Sequence, residues 1–176
     1  MRIALSIAGV AILVLTAAGT ALAQGSGAEA RLKQLNIALP ADQAPAANFV
    51  NSVQAGKLLF LSGNTPGGQW PLKGKVGKDL TVEQGYESAR QTGLIMLGKI
   101  RTALGSLDRV KRVVKVLGMV NSADGFSDQP KVVNGFSDLM VEVFGEGVGK
   151  HARSAVGMAG LPGNAPIEVE MIVEVE

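Results

Sequence analysis

Two long stretches of the chain repeat apolar residues every three or four positions, which is the spacing of an amphipathic helix. The first spans residues 81–104, begins at Thr81, a good capping residue, and ends before Gly105. The second spans residues 130–144, opens on a proline suited to a first helical turn and also ends before a glycine. The pattern therefore predicts two amphipathic helices that each cover an apolar layer.

Shorter segments are β-branched or alternate between apolar and polar residues, and they predict strands at 48–53, 57–63, 109–120, 152–158 and 166–175. The first two strands flank a tight turn at Gly56, which predicts a β-hairpin, and residues 64–80 form a loop rich in glycine and proline. In the last strand, apolar residues occupy one face and Glu168, Glu170 and Glu174 the other. Two helices against one sheet predict an α+β two-layer sandwich.

The first 23 residues differ from this pattern and are typical of a secretory signal peptide. They carry one early charge, Arg2, then an uncharged apolar run, then small residues that favour cleavage between Ala23 and Gln24. An uncleaved membrane anchor is the alternative. After cleavage we expect an arm at residues 24–47 and one domain at 48–176, in a periplasmic or secreted protein that no longer contacts a membrane.

Composition narrows the chemistry. The sequence has no cysteine, which excludes disulfides, thiol catalysis and cysteine-based zinc sites. The single histidine, His151, argues against a histidine-rich metal site and a Ser-His-Asp triad. There are 17 Lys and Arg against 15 Asp and Glu, and one of the basic residues is Arg2. This balance gives no general attraction to nucleic acid or anionic lipid.

A basic run at residues 109–115, RVKRVVK, invites comparison with an RNA-binding surface. Its charges alternate irregularly on the predicted strand, and few aromatic residues are present to stack on bases. We interpret the run as an exposed sheet edge or an interface, where basic side chains protect against mispairing. No nucleic-acid partner is expected.

Three motifs resemble the RidA/YjgF family, also called L-PSP endoribonucleases. They are SGNTP at 62–66, VVNGFSDLM at 132–140 and ARSAVGMAGLPGNAPIEVEMIVEV at 152–175. The long loop and the sequence GKHARSAVG look most like the subgroup described as chorismate-mutase-like putative endoribonucleases. The resemblance implies a chorismate-mutase-like two-layer sandwich with a mixed sheet, assembled as a homotrimer whose sheets line a central barrel and whose ligand clefts lie between subunits.

Core members of that family hydrolyse reactive enamines and imines, such as 2-aminoacrylate, to keto acids and ammonia, without a metal or cofactor. The resemblance assigns Arg153 to the substrate carboxylate and Glu168 to the attacking water. Gly63, Asn134 and Phe49 match further substrate-binding positions of the family. A small imino or keto acid is therefore the expected ligand.

The chain departs from the family at three positions. Ala155 replaces a frequent cysteine, Phe49 stands where a tyrosine is usual, and His151 replaces a proline. These changes leave the arginine in place and alter residues on either side of it. Two roles are open for His151: a polar residue at the start of a strand, or an acid or base.

The residue types suit this chemistry. The planar fork of an arginine pairs both oxygens of a carboxylate, and a glutamate whose pKa is raised can accept a proton from water. Backbone N–H groups at Ser62 and Gly63 could complete the cradle. A structural alternative pairs Arg153 with Glu168 or Glu170 across a terminal hairpin. The functional alternatives are a carboxylate-binding trimer without catalysis and, less expected, an endoribonuclease.

Overall fold

The computed structural model describes residues 27–45 and 47–176, and these residues build one five-stranded sheet with helices packed against it. The strands are β1 Ser52–Ala55, β2 Leu58–Asn64, β3 Val110–Asn121, β4 Ala152–Met158 and β5 Ile167–Val175. The helices are α1 Ala28–Gln34, α2 Val82–Leu104, α3 Gln129–Phe144 and the short α4 Glu146–Gly149. The predicted signal peptide, residues 1–23, lies outside the described residues.

The sheet is mixed and has the order β1-β2-β5-β3-β4. β3 and β4 are parallel, and the crossover between them carries α3, while the other neighbours are antiparallel. Alternate residues of β5 are buried, including Val169 and Met171, and they pack with the apolar faces of α2 and α3 in one core. The predicted α+β sandwich with a mixed sheet is confirmed.

Local signals fix the ends of α2 as the sequence predicted. The Thr81 hydroxyl accepts a hydrogen bond from the Gln84 backbone, and the Gln84 side chain accepts one from the Thr81 backbone. Gly105 ends the helix in the left-handed conformation, with φ of 81°. The predicted face of α2 is buried, including Ala89, Met96 and Ile100.

The first strand lies later in the chain than predicted, at Ser52–Ala55 instead of residues 48–53. Its turn consists of only two residues, because Ala55 pairs with Leu58 and Gly56 adopts a φ of 59°. The ladder begins with Ser52 opposite Leu61, and the pairing of β2 with β5 shifts register just after Leu61.

The predicted terminal hairpin is wrong. β4 and β5 follow one another in the chain, but β3 lies between them in the sheet. The basic run was also predicted to form an exposed sheet edge, and this is wrong for most of β3, because β3 is an inner strand. Only its first residues precede Lys115, where pairing with β4 begins. Strand order depends on distant parts of the chain, which local alternation does not report.

The predicted arm contains a docked helix. In α1, Ala28 and Leu32 are buried, and the Glu29 carboxylate receives hydrogen bonds from Arg101 and from the backbone of Leu107. Within residues 27–45 and 47–176, every helix is too short or too polar to cross a membrane.

Candidate functional site

A cleft of about 630 Å³ opens where β2 ends and the glycine-rich loop begins. The arm, the loop, α2 and β5 all contribute to its walls. The lining residues are Pro40, Ala41, Asp42, Gln43, Phe49, Gly63, Asn64, Thr65, Pro66, Gly67, Gly68, Gln69, Trp70, Gln91, Ile95, Lys99, Pro162 and Glu168. A space of this size accommodates a metabolite-sized ligand.

Glu168 and Gly63 meet inside this cleft. A Cβ atom added to Gly63 would lie 2.2 Å from Glu168 Oε1, so the glycine leaves the room that the carboxylate occupies. Partial burial raises the pKa of the Glu168 carboxyl, and the negative charge of Glu170 raises it further. The cleft therefore holds a carboxyl group that is shifted towards the range of a general base.

Phe49 lies at the same cleft and is 57% exposed. The sequence suggested that backbone N–H groups at Ser62 and Gly63 would bind the ligand. The structure removes Ser62 from that role, because its N–H donates to the Asn51 carbonyl at 3.0 Å. Its hydroxyl is also engaged, donating to the Val50 carbonyl at 2.6 Å.

Lys99 places a buried cation at the α2 side of the cleft. Its side chain is 9% exposed, and its amino group contacts Asn51 Oδ1 and lies 3.5 Å from Asp42 Oδ1. Asn51 in turn donates to Asp42 at 2.9 Å and to the Gln43 carbonyl at 2.8 Å. This network fixes the arm against α2, so that the arm forms one wall of the cleft.

Arg153 and Asn134 lie together, but outside this cleft. The Arg153 guanidinium donates from Nη1 to Asn134 Oδ1 and to Ser137 Oγ, both at 2.9 Å, and from Nη2 to the Pro130 carbonyl at 3.4 Å. All three partners come from α3 or its first turn. The interpretation of Arg153 as half of an ion pair with Glu168 or Glu170 is therefore wrong, because its side chain is held by neutral oxygens.

Sheet geometry shows how far apart Arg153 and Glu168 lie. Arg153 is opposite Val116, and Val116 is opposite Met171, so Arg153 lies two strands from β5 and three residues out of register with Glu168. At about 4.8 Å between strands and 3.4 Å per residue, their backbones are about 14 Å apart. Arg153 points towards α3, whereas alternation along β5 directs Glu168 to the opposite face.

His151 extends the group around Arg153. Its Nε2 lies 3.0 Å from Ser137 Oγ, and its Nδ1 lies 2.6 Å from the Gly149 carbonyl oxygen. Burial lowers the pKa of His151, the Gly149 hydrogen bond opposes that effect, and the charge of Arg153 adds to the lowering.

Sequence reasoning missed three residues of these two regions: Lys99, Trp70 and Ser137. Lys99 is the one charged residue among the buried residues of α2, which is a signal for a buried, partnered cation. Ser137 lies three residues after Asn134, on the same helix face. Trp70 had no periodic signal, and its indole nitrogen donates to Ser88 Oγ at 2.9 Å.

The basic run does not form a continuous cationic surface. Lys111 pairs with the carboxylate of Glu176, and Arg109 donates to the Leu104 carbonyl at 2.9 Å. Lys115 donates to Ser154 Oγ, also at 2.9 Å. In the part of the chain that is described, no three His, Cys, Asp or Glu side chains gather into a group able to hold a metal ion.

Comparison with known proteins links this architecture to one family. Residues 29–175 match the family model described as YjgF/chorismate mutase-like, putative endoribonuclease. Protein TCP17 of Trypanosoma cruzi is 48% identical over 149 residues, covering 82% of this chain and 92% of that protein.

Solved structures give the same result. The protein Atu1372 of Agrobacterium tumefaciens, described as having unknown function, has a TM-score of 0.76 and 40% identity, with 84% of this chain and 91% of that chain covered. A putative endoribonuclease from Shewanella oneidensis has a TM-score of 0.81 and 30% identity, with coverages of 85% and 100%. The match to the family model spans both regions described above, and the chain belongs to the YjgF/chorismate-mutase-like family.

Proposed function

We propose that this chain is an exported homotrimeric hydrolase that converts small enamines and imines of the 2-aminoacrylate type into keto acids and ammonia. The observation that carries the proposal is the division of the protomer into two half-sites. One half-site is Arg153 with Asn134, and the other is Glu168 with Gly63 and Phe49 in the cleft. Export rests on the sequence of residues 1–23 alone.

Neither half-site is sufficient for this reaction. The first offers a guanidinium whose Nη2 makes only a long contact of 3.4 Å, so it can still turn towards a carboxylate. The second offers a carboxyl group on the other face of the sheet, and the backbones of Arg153 and Glu168 are about 14 Å apart. A small imino acid would contact both only if Arg153 of one subunit faced the cleft of another.

The open face of the sheet supports such an assembly. Val53, Phe60 and Val156 are at least 40% exposed there, and Leu117 and Ile172 extend the same face. Contiguous exposed apolar residues on a sheet usually mark an interface between proteins. We propose that three copies cover this face by turning it towards a common axis.

In the proposed reaction, Arg153 holds the substrate carboxylate and Glu168 accepts a proton from water. An enamine first tautomerises to its imine, as its β-carbon gains a proton and its nitrogen loses one. The water oxygen then bonds to the imine carbon, the C=N double bond becomes single, and Glu168 passes the proton that it took from the water to the nitrogen. In the resulting carbinolamine, Glu168 moves the hydroxyl proton to the nitrogen, the C–N bond breaks and ammonia leaves. The C–O bond then becomes the carbonyl of the keto acid. The raised pKa of Glu168 suits this step, because it brings the group closer to neutrality.

The decisive assay generates 2-aminoacrylate in situ and follows the release of pyruvate. We expect the wild type to accelerate this release and Arg153→Ala to lower kcat/KM by about a hundredfold, since a charge-assisted carboxylate anchor is lost. Arg112→Ala, at an exposed arginine of β3, is the matched control and should keep full activity. Absence of acceleration by the wild type would refute the proposal.

The same proteins test the non-catalytic alternative. A carboxylate-binding trimer would be stabilised by pyruvate in thermal melts, in the wild type but not in Arg153→Ala, without any turnover. An endoribonuclease activity would instead require RNA cleavage that disappears when Arg109, Lys111 and Arg112 are neutralised. The internal contacts of Arg109 and Lys111 argue against that outcome.

A further inference from the structure

A continuous chain of hydrogen bonds connects the only histidine of the sequence to Arg153. It runs from the Gly149 carbonyl through the His151 ring to Ser137 Oγ and on to Arg153 Nη1, with distances of 2.6, 3.0 and 2.9 Å. The proposed function assigns no task to His151 or Ser137. These hydrogen bonds connect the segment before β4 to α3, and α3 to β4.

The donors and acceptors of this chain assign every proton in it. A carbonyl oxygen only accepts, so the contact with Gly149 requires the proton on Nδ1. In the neutral ring Nε2 is then an acceptor, and the Ser137 hydroxyl donates to it. An Arg153 nitrogen only donates, so Ser137 Oγ receives that bond through a lone pair.

From this geometry we infer that His151, acting through Ser137, is a positioning residue that holds the Arg153 guanidinium ready for an anionic carboxylate. The hydroxyl of Ser137 would otherwise rotate freely or bond back to its own helix. With its proton committed to His151, its lone pair stays aimed at Nη1. The inference rests on the proposed function for its ligand, but the hydrogen-bond chain is testable without one.

Charge couples the same residues. The positive charge of Arg153 lowers the pKa of His151. The other charged groups of α3 and α4 nearby have partners of their own, since Glu146 pairs with Lys150 and Asp138 accepts from Tyr86. A carboxylate bound to Arg153 would offset part of its positive charge. It should therefore raise the pKa of His151, and by reciprocity bind more tightly as His151 becomes protonated.

Protonation does not break the chain. Nε2–H would then donate to Ser137 Oγ, whose second lone pair still accepts from Arg153. Ser137 therefore fixes the guanidinium in both charge states. Removing the Ser137 hydroxyl should weaken carboxylate binding at every pH. Replacing His151 by a residue that does not titrate should reduce the pH dependence of binding, and Glu168 in the shared site accounts for what is left.

The ligand-free test uses NMR of the full chain, where one histidine gives one set of ring signals. We expect ¹⁵N shifts of the Nδ1–H tautomer at pH 7.5. The pKa of His151 should be higher in Arg153→Gln than in the wild type, because a neighbouring positive charge is gone. A predominant Nε2–H tautomer, or an identical pKa in the two proteins, would overturn the inference.

The second test measures pyruvate affinity by calorimetry between pH 5.5 and 8. Ser137→Ala should weaken binding about tenfold, as expected when a hydrogen bond to a charged group is lost. Ser137→Thr, which keeps the hydroxyl, should stay near the wild type. His151→Gln keeps an acceptor for Ser137 but cannot titrate, so its affinity should increase less than that of the wild type as the pH falls.

Unchanged affinity in Ser137→Ala, or an increase at low pH that is as large in His151→Gln as in the wild type, would refute the positioning role. If the wild type does not bind pyruvate at all, the proposed carboxylate anchor fails. The NMR comparison of the wild type with Arg153→Gln still decides the hydrogen-bond chain in that case, so the two failures are distinguishable.

Discussion

Gly63 is the residue whose role changes most between sequence and structure. The family resemblance assigned it to the substrate, but its missing side chain makes space for the carboxylate of Glu168. A glycine here therefore sets the position of the proposed base. Position 63 therefore tolerates fewer residues than a flexible turn would, because any larger residue competes with the carboxylate for the same volume.

We expect Gly63→Ala to lower imine hydrolysis at least tenfold with little loss of stability. The new Cβ would lie 2.2 Å from Oε1 of Glu168, at the end of a flexible side chain that can swing away. The carboxylate would then leave its catalytic position at small cost to folding. Steady-state kinetics and a thermal melt of the same sample provide the test.

Gly68→Ala is the matched control, since Gly68 lines the same cleft and a Cβ there would meet no atom within 4 Å. It should keep wild-type activity. Equal rates for Gly63→Ala and the wild type would show that the position of Glu168 does not limit the reaction.

The pH dependence of catalysis offers a second test at this scale. If Glu168 is the base, kcat/KM should fall as the pH drops through its pKa, because the protonated form cannot accept a proton. The charge of Glu170 raises that pKa. Glu170→Gln should therefore lower the pKa and move the acid limb of the profile to lower pH.

Glu174→Gln is the control for that shift, because Glu174 lies on the same strand and face but farther from Glu168. Its profile should match that of the wild type. An acid limb that does not move in Glu170→Gln would exclude Glu168 as the titrating base.

Among the elements, α2 and the arm act as a unit. Gly98 faces the arm so closely that an added Cβ would lie 2.6 Å from the Pro40 carbonyl oxygen. The next residue, Lys99, holds the arm through Asp42 and Asn51. One turn of α2 therefore both admits the arm and anchors it, which gives the cleft its outer wall.

We expect Gly98→Ala to displace the arm and to speed amide hydrogen exchange at residues 41–44 about tenfold or more. The clash is with backbone, so the arm has to move rather than a side chain. Exchange within α2 should not accelerate, because alanine favours the helix by about 1 kcal/mol over glycine. Mass spectrometry after pulse labelling measures both segments.

Gly147→Ala in α4 makes the same substitution where nothing lies within 4 Å, and it should leave the arm unchanged. Exchange in the arm that is as slow in Gly98→Ala as in the wild type would show that the contact with Pro40 does not hold this wall.

The elements also show what a sequence can predict. α2, α3 and β5 were predicted nearly in full, because their periodicity and end signals lie within a few residues of one another. The neighbours of β4 were not, since its pairing with β3 joins segments separated by a whole helix. The prediction of the site is limited in the same way. The motifs identify Glu168 and Arg153, but the distance between them depends on the order of the strands.

Buried polar networks were harder to predict than the apolar core. The Lys99 network joins the arm, the first hairpin and α2, and none of these segments carries a pattern that names the others. Ser137 had only its spacing from Asn134 as a signal. Hydrogen bonds of this kind follow from the assembled fold rather than from local preference.

At the scale of the whole molecule, the open sheet face and the separation of Arg153 from Glu168 both support the proposed trimer. Exposed apolar residues such as Phe60 lie on the face that also carries Glu168, whereas Arg153 lies on the outermost strand, β4. A ring of copies related by a threefold axis has identical interfaces, each made of two different surfaces. Such a ring can bring the edge strand of one subunit to the cleft of the next.

This arrangement makes a quantitative prediction for mixed trimers. Arg153→Ala lacks the anchor but keeps Glu168, while Glu168→Gln keeps the anchor but lacks the base. Each variant alone should be nearly inactive. Suppose that every site takes Glu168 from one subunit and Arg153 from its neighbour. With random mixing in equal amounts, each of these two positions holds the subunit with the intact residue half of the time, so about one site in four is intact.

The two variants are co-expressed with different tags, purified through both tags in sequence and assayed for imine hydrolysis, with light scattering to check the mass. Dual selection removes the unmixed trimers and raises the expected fraction of intact sites to about one in three. Trimers of Arg153→Ala mixed with the Arg153→Ala, Glu168→Gln double variant contain no anchor and are the control. If mixed trimers of the correct mass are inactive, Arg153 and Glu168 of neighbouring subunits do not act on the same substrate molecule. That result would refute the shared site.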